Sequence, residues 1–219
     1  MAKAKRRSSS TGDETKAKIV DATLQTLQEE GIVGASARAI ARAGDFNQAL
    51  IFYHFGSVDD AIVAAVGELS RRRLERYRAP LMSVDNLTDL IGVAKELYEN
   101  DRESGEITVL AQAFAGASRD DEMGPAMYNH IADWNELIEE VVQRAIESSP
   151  LGNHPLAGAL PRKEIAMGIS ALFLGIELLG QLDPERADTE KMFTSIAAMA
   201  QLAESMLQAG LLPQPQPSS

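Results

Sequence analysis

The chain has no cysteine, which excludes disulfides and thiolate metal sites. Aromatic residues make up only 5% of its 219 positions, and one of them is the sole Trp. His54, His130 and His154 lie far apart without metal-ligand spacing, and no Ser-His-Asp arrangement is recognisable. Adjacent Glu139 and Glu140 read as solvated carboxylates. Neither a metal site, a cofactor nor catalysis is therefore expected. A long unbroken apolar run is also missing: Ile165 to Leu182 is interrupted by Ser170, Glu177 and several glycines, so no membrane span is expected. The basic N-terminus has no apolar stretch behind it, unlike a signal peptide, and a cytoplasmic protein is the expectation.

What the chain does have is helix-forming apolar sequence. Hydrophobic residues make up 45%, enough in a chain of this length for a substantial core built from Ala and Leu rather than aromatics. The net charge of -11 is unevenly spread: residues 1–56 hold eight Lys or Arg against six Asp or Glu, and the remainder thirteen against twenty-six. Lys3, Lys5, Arg6, Arg7, Lys16 and Lys18 oppose only Asp13 and Glu14 in the first twenty positions. Residues 1–12 thus read as a basic flexible arm, suited to lie along phosphates or to serve as a solubilising tail.

Residues 13–56 read as three helices. The first starts near Asp13-Glu14, carries Ile19, Val20, Thr23, Leu24 and Leu27 at helical spacing, and stops at Gly31, which tolerates a left-handed backbone. Ser36 caps a short helix through Arg42, and Gly44-Asp45-Phe46 separates it from a helix that Asn47 can cap. Two short capped helices across a tight turn predict a helix-turn-helix. Side chains near the start of its second helix reach base edges, so Gln48 is placed to pair with adenine, and Ala49 and Ile51 to touch a thymine methyl. Ser36, Asn47 and Ser57 sit where helix N-termini present N–H groups to phosphate, as caps alone or as caps and contacts together. Leu50 and Phe55 read as core.

Ile40-Ala41-Arg42, the run from Asn47 to Ile51, and Tyr53-His54-Phe55-Gly56-Ser57 resemble the N-terminal domain of the tetracycline-repressor (TetR) family of bacterial transcription regulators. The resemblance covers about a fifth of the chain strongly. It implies that Arg38 reaches a phosphate or a guanine edge and that Tyr53 and His54 flank the DNA backbone. Asp45 stands where the family usually has Gly, Phe52 where a Tyr often contacts phosphate, and Val58 where many members place Lys.

Residues 57–212 read as a helical ligand-binding and dimerisation domain in an all-α chain, with one antiparallel bundle of helices near 87–101, 105–118, 121–148, 161–182 and 188–209 behind a connecting helix from Ser57 to Pro80. The Arg71-to-Arg78 run on that connector reads as a solvated face with helical ion pairs. Ser148 to Pro161 is expected as a surface loop, and residues 213–219 as a disordered tail. Ile169, Leu172, Phe173 and Ile176, with Met199 and Leu202, form apolar sides expected at a dimer interface or within the bundle. A pocket is implied by the family, with Tyr98, Gln112, Phe114, Met127, His130 and Trp134 as its candidate residues against a reading as plain core. Glu177, alone in an apolar helix, reads as a cation site or, more simply, as a partly exposed or interface carboxylate.

The expected protein is a homodimeric repressor released from a palindromic double-stranded DNA operator by a small apolar effector. The alternatives are an activator of the same family and a small-molecule-binding helical protein with weak or lost DNA binding.

Overall fold

The protein is described by a computed structural model covering residues 2–117, 121–149, 152, 155–183 and 186–209; side chains of residues 2–11, 155–156 and 207–208 lie outside that description. The tail 213–219, His154 and the side chains of the basic arm are therefore outside it. The described residues are all-helical, with no strand. The order is α1 (Ala2–Gly34), α2 (Ala37–Gly44), α3 (Ala49–Phe55), α4 (Val58–Met82), α5 (Leu87–Glu103), α6 (Glu106–Ala117), α7 (Met123–Ser148), a 3-10 turn (Pro155–Ala159), α8 (Arg162–Leu182) and α9 (Thr189–Gln208).

The chain divides into two compact units, Met1–Arg72 with Gly105–Ile131, and Arg73–Ser104 with Ala132–Ser219. α4 and α7 are each continuous and contribute a segment to both.

In the first unit the core forms where small and branched side chains recur every three or four residues. Ile19 and Ala22 from α1, Ile40 from α2, Ile51 from α3 and Ala61 from α4 close on one another, with Phe46, Leu50 and Phe55 packed around them. Buried Thr23 and Thr26 would leave hydroxyls without water, but each donates to the carbonyl four residues back, Ile19 O and Ala22 O, at 2.8 Å. α1 is helical from Ala2, well ahead of the expected start, in keeping with the Ala, Lys and Arg of its first residues. It breaks at Gly31, whose φ of 69° and ψ of 179° belong to a region open essentially to glycine alone.

In the second unit Tyr77 and Leu81 of α4, Leu97 of α5, Leu137, Val141 and Val142 of α7, and Ala166 of α8 form the main core. Tyr98, Ile176 and Phe193 form a smaller cluster, joined by Phe173.

Three expectations need correction here. Arg73, assigned to a solvated face, is buried: its guanidinium bonds the buried Asp101 carboxylate, which also accepts the Tyr77 hydroxyl at 2.5 Å, and it lies 4.7 Å from the Trp134 ring centroid. Asp101 is 28 residues away, beyond the reach of local spacing rules. The Ser148–Pro161 segment is not simply a surface loop, since Pro155–Ala159 makes a 3-10 turn whose Ala157 joins the core. And α8 is long and apolar enough, by length and composition, to cross a membrane. One Glu and scattered glycines do not offset its Leu, Ile and Phe content.

Candidate nucleic-acid interface

α2 starts at Ser36, whose Oγ accepts the Ala39 N–H at 3.2 Å, and ends at Asp45 in a left-handed conformation with φ of 49°. Asp tolerates that backbone better than most residues with a Cβ. Gly44 is required by packing: a Cβ there would collide with the Phe46 ring and with Ala22 Cβ. Phe46 folds back over the turn, and Lys18 Nζ donates to the Asp45 carbonyl at 3.4 Å, fastening the turn to α1. Asn47 then accepts the Ala49 N–H through Oδ1 at 2.9 Å from one residue ahead of the cap position of α3, which Gln48 holds without a side-chain cap bond.

These contacts present one face of α3 outward. Gln48, Ala49, Phe52 and Tyr53 are exposed, Tyr53 at 81%, while Ile51 is 0% exposed. Ile51 is therefore a core residue and cannot reach a base: it packs with Ile19, Ala22, Ile40 and Ala61, and it lies roughly opposite Ala49 around the helix. Phe52, half exposed, takes the outward position instead, and its spacing of four from Gln48 is the sequence signal that could have found it. His54 is half-buried, with its ring edge-on to Tyr53 at 4.9 Å.

Arg38 and Lys16 are exposed, whereas Arg42 is held by Glu30 at 2.6 Å. Ser57 closes the segment: its Oγ accepts the Asp60 N–H at 3.0 Å and donates to Asp60 Oδ2 at 2.7 Å. Ser36, Asn47 and Ser57 thus each accept a backbone N–H at a helix start through their side chains. Below them, Glu68 receives Arg71 and Arg72, and Arg72 also reaches Asp21 of α1 at 2.8 Å. Its carboxyl is lowered to about 2, chiefly by the Arg71 hydrogen bond, against the opposing effect of burial and with help from Arg72.

The six residues expected at a pocket divide between the units. In the first, Gln112 lies against Gly31, His130 packs on Gly67, Met127 is buried and Phe114 is half-buried. In the second, a cavity of about 320 Å³ is lined by Trp134 but by none of the other five. Tyr98 is buried beside it, its hydroxyl donating to Glu177 Oε2 at 3.2 Å; burial first, then Glu177, push the phenol up to about 12. Glu177 is itself buried, not the exposed carboxylate its isolation implied.

The expected dimer residues divide too. Leu172, Met199 and Leu202 are exposed, with Leu179 and Leu182 beside them on α8, the last at 81%. Ile176 is buried, and Ile169 and Phe173 pack into the unit's own cores, so these three belong to the inner face.

A capped helix-turn-helix with an outward polar and aromatic face, in an all-helical chain, defines the class: a DNA-binding transcriptional regulator. Residues 19–65 match the family described as bacterial regulatory proteins, tetR family. The HTH-type transcriptional regulator BetI of Paraburkholderia phytofirmans is 24% identical over 184 residues, covering 80% of this chain and 86% of that protein. Among solved structures, a TetR-family transcriptional regulator from Cytophaga hutchinsonii superposes with a TM-score of 0.66 at 16% identity, over 87% of this chain and 95% of that one. FadR from Bacillus subtilis, in complex with stearoyl-CoA, gives 0.63 at 11%, over 87% and 96%. Residues 19–65 thus carry the DNA-binding domain of the tetR family, and the chain as a whole is similar in sequence and fold to HTH-type transcriptional regulators.

Proposed function

We propose that this regulator is a homodimeric repressor that reads a palindromic operator through α3 and leaves it when a small apolar ligand fills the cavity of the second unit. The observation that carries the DNA half is the outward face of α3. Gln48 and Ala49 at its start reach base edges, Arg38 reaches a phosphate or a guanine edge, and Tyr53, His54, Lys16 and the helix starts at Ser36, Asn47 and Ser57 hold the DNA backbone. Such a protein works in the cytoplasm, where its operator is.

The exposed apolar residues of α8 and α9, Leu172, Leu179, Leu182, Met199 and Leu202, support a self-complementary interface. Two copies place two reading heads on two half-sites. The ligand half is supported by the apolar cavity and by the acyl-CoA ligand of a structural neighbour. Trp134 lines the cavity and carries the Arg73 guanidinium, and α4 continues from Arg73 to Arg72, which is tied to Asp21 of α1. A ligand that displaces Trp134 therefore acts on the helix shared by both units.

Phe52 and Val58, in place of a phosphate-binding Tyr and a Lys, favour the second reading, a ligand-binding protein with weak DNA affinity. Selection of genomic fragments by the full chain decides between them. The repressor reading expects an inverted repeat among the recovered fragments; recovery no different from the input removes it.

A further inference from the structure

The cavity of the second unit identifies its ligand by what its wall lacks. The lining comes from α4, α5, α7, α8 and α9 and the segment before α8, with Leu81, Ile91, Ile138, Ile169 and Phe193 typical of it. Every lining residue is Ala, Val, Leu, Ile, Phe or Trp, so none brings a charge, and the Trp134 indole N–H is the one polar group on their side chains. Among the buried charged groups of this unit, Arg162 Nε and Glu204 Oε1 have no hydrogen-bond partner, but neither residue lines the cavity, and two others are engaged with the protein itself. Glu177 accepts from Tyr98 at 3.2 Å and from the Gln181 amide at 3.1 Å, and Arg73 bonds Asp101.

We propose that the cavity binds an uncharged hydrocarbon skeleton of about a dozen carbons, by analogy with apolar cavities of about 150 Å³ that admit benzene. The volume of about 320 Å³ is roughly twice that. An ionised headgroup drawn inside would lose its water and meet no partner. The ligand is therefore neutral along the part that is enclosed, and affinity rises with chain length until the space is full. This inference rests on the ligand-controlled reading above and specifies its effector class.

Trp134 is the only Trp in the chain, so its emission reports the cavity directly. The full-length protein is titrated at pH 7 with 1-decanol, decanoate and decyltrimethylammonium, each below its aggregation limit, and with 1-hexanol. A saturable emission change with 1-decanol is expected, with both ions about 100-fold weaker. Hexanol is weaker by about fourfold for each CH₂ removed. Ile138→Phe and, separately, Leu90→Phe fill the space and weaken decanol by about tenfold while helical content is retained. A charged analogue that binds as tightly as decanol, the absence of saturable decanol binding, or two well-folded variants with unchanged affinity would each overturn the proposal. If the chain selects genomic DNA but takes no decanol, the ligand class fails and DNA reading stands. If it takes decanol but selects no DNA, the ligand class stands and the regulator reading fails.

Discussion

Ile51 and Phe52 are neighbours in the chain and opposites in the fold. Ile51 is sealed among Ile19, Ala22, Ile40 and Ala61, so Ile51→Ala leaves a cavity and is expected to cost about 2–5 kcal/mol of stability, read as a lowered denaturation midpoint. A variant of unchanged stability that loses only DNA affinity would restore Ile51 to the base-contacting face. Glu68 governs the acid limb. Its carboxyl falls from 4.5 to about 2 on folding, so its contribution is complete above about pH 4.5 and is lost as the pH falls toward 2. Because Arg71 and Arg72 are largely exposed, screening reduces that contribution to roughly 1–2 kcal/mol. Glu68→Gln should flatten stability against pH in that window; an identical acid limb in both proteins would show that the cluster is energetically idle.

Among the elements, α4 carries the most consequential interactions. Asp101 of α5 holds both Arg73 and Tyr77 in a buried site. Asp101→Ala leaves a guanidinium buried without its anion, at an expected cost of about 3–5 kcal/mol, measurable by urea denaturation. A loss well below that would mean water reaches Arg73. Much of this architecture was legible in the sequence, because helical periodicity, caps and glycine act over a few residues. Ser36 and Asp45 perform their local roles as read, Asn47 bonds a helix-start N–H from one residue ahead of the cap position, and the long helices lie close to their expected bounds. What was not legible depends on long-range packing. Nothing within one turn of Arg73 announces Asp101, and an apolar stripe does not say which of its edges faces the chain's own core. Ile169 and Phe173 turned inward while Leu179 and Leu182 turned outward for that reason, and Leu172, partly exposed, lines the cavity as well. Met127 and His130 lie near one face of α7 with Trp134, yet the division of α7 between two units puts them in the first unit, with Gln112 and Phe114 of α6, and Trp134 in the second.

For the whole molecule, the proposed dimer would link assembly to DNA reading. Leu179→Glu combined with Met199→Glu places charges on the outward apolar sides of α8 and α9 without disturbing the buried cores. The variant is expected to sediment as a monomer and to lose operator affinity, since each half-site then binds without a tethered neighbour. A dimer with normal DNA affinity would move the interface elsewhere. Deleting residues 1–9 should weaken binding at low salt and flatten log K against log salt, because Lys3, Lys5, Arg6 and Arg7 are removed; an unchanged slope would make the arm a passive tail.

On the proposed function, the outward face of α3 reads sequence. That reading is tested most directly by titrating the wild type and Gln48→Ala against the selected operator, operators changed one base pair at a time, and random DNA of equal length. Gln48→Ala is expected to relax preference at one symmetry-related pair of positions by roughly 1–3 kcal/mol and to leave random-DNA affinity nearly unchanged. Equal losses on operator and random DNA, with no position singled out, would contradict it.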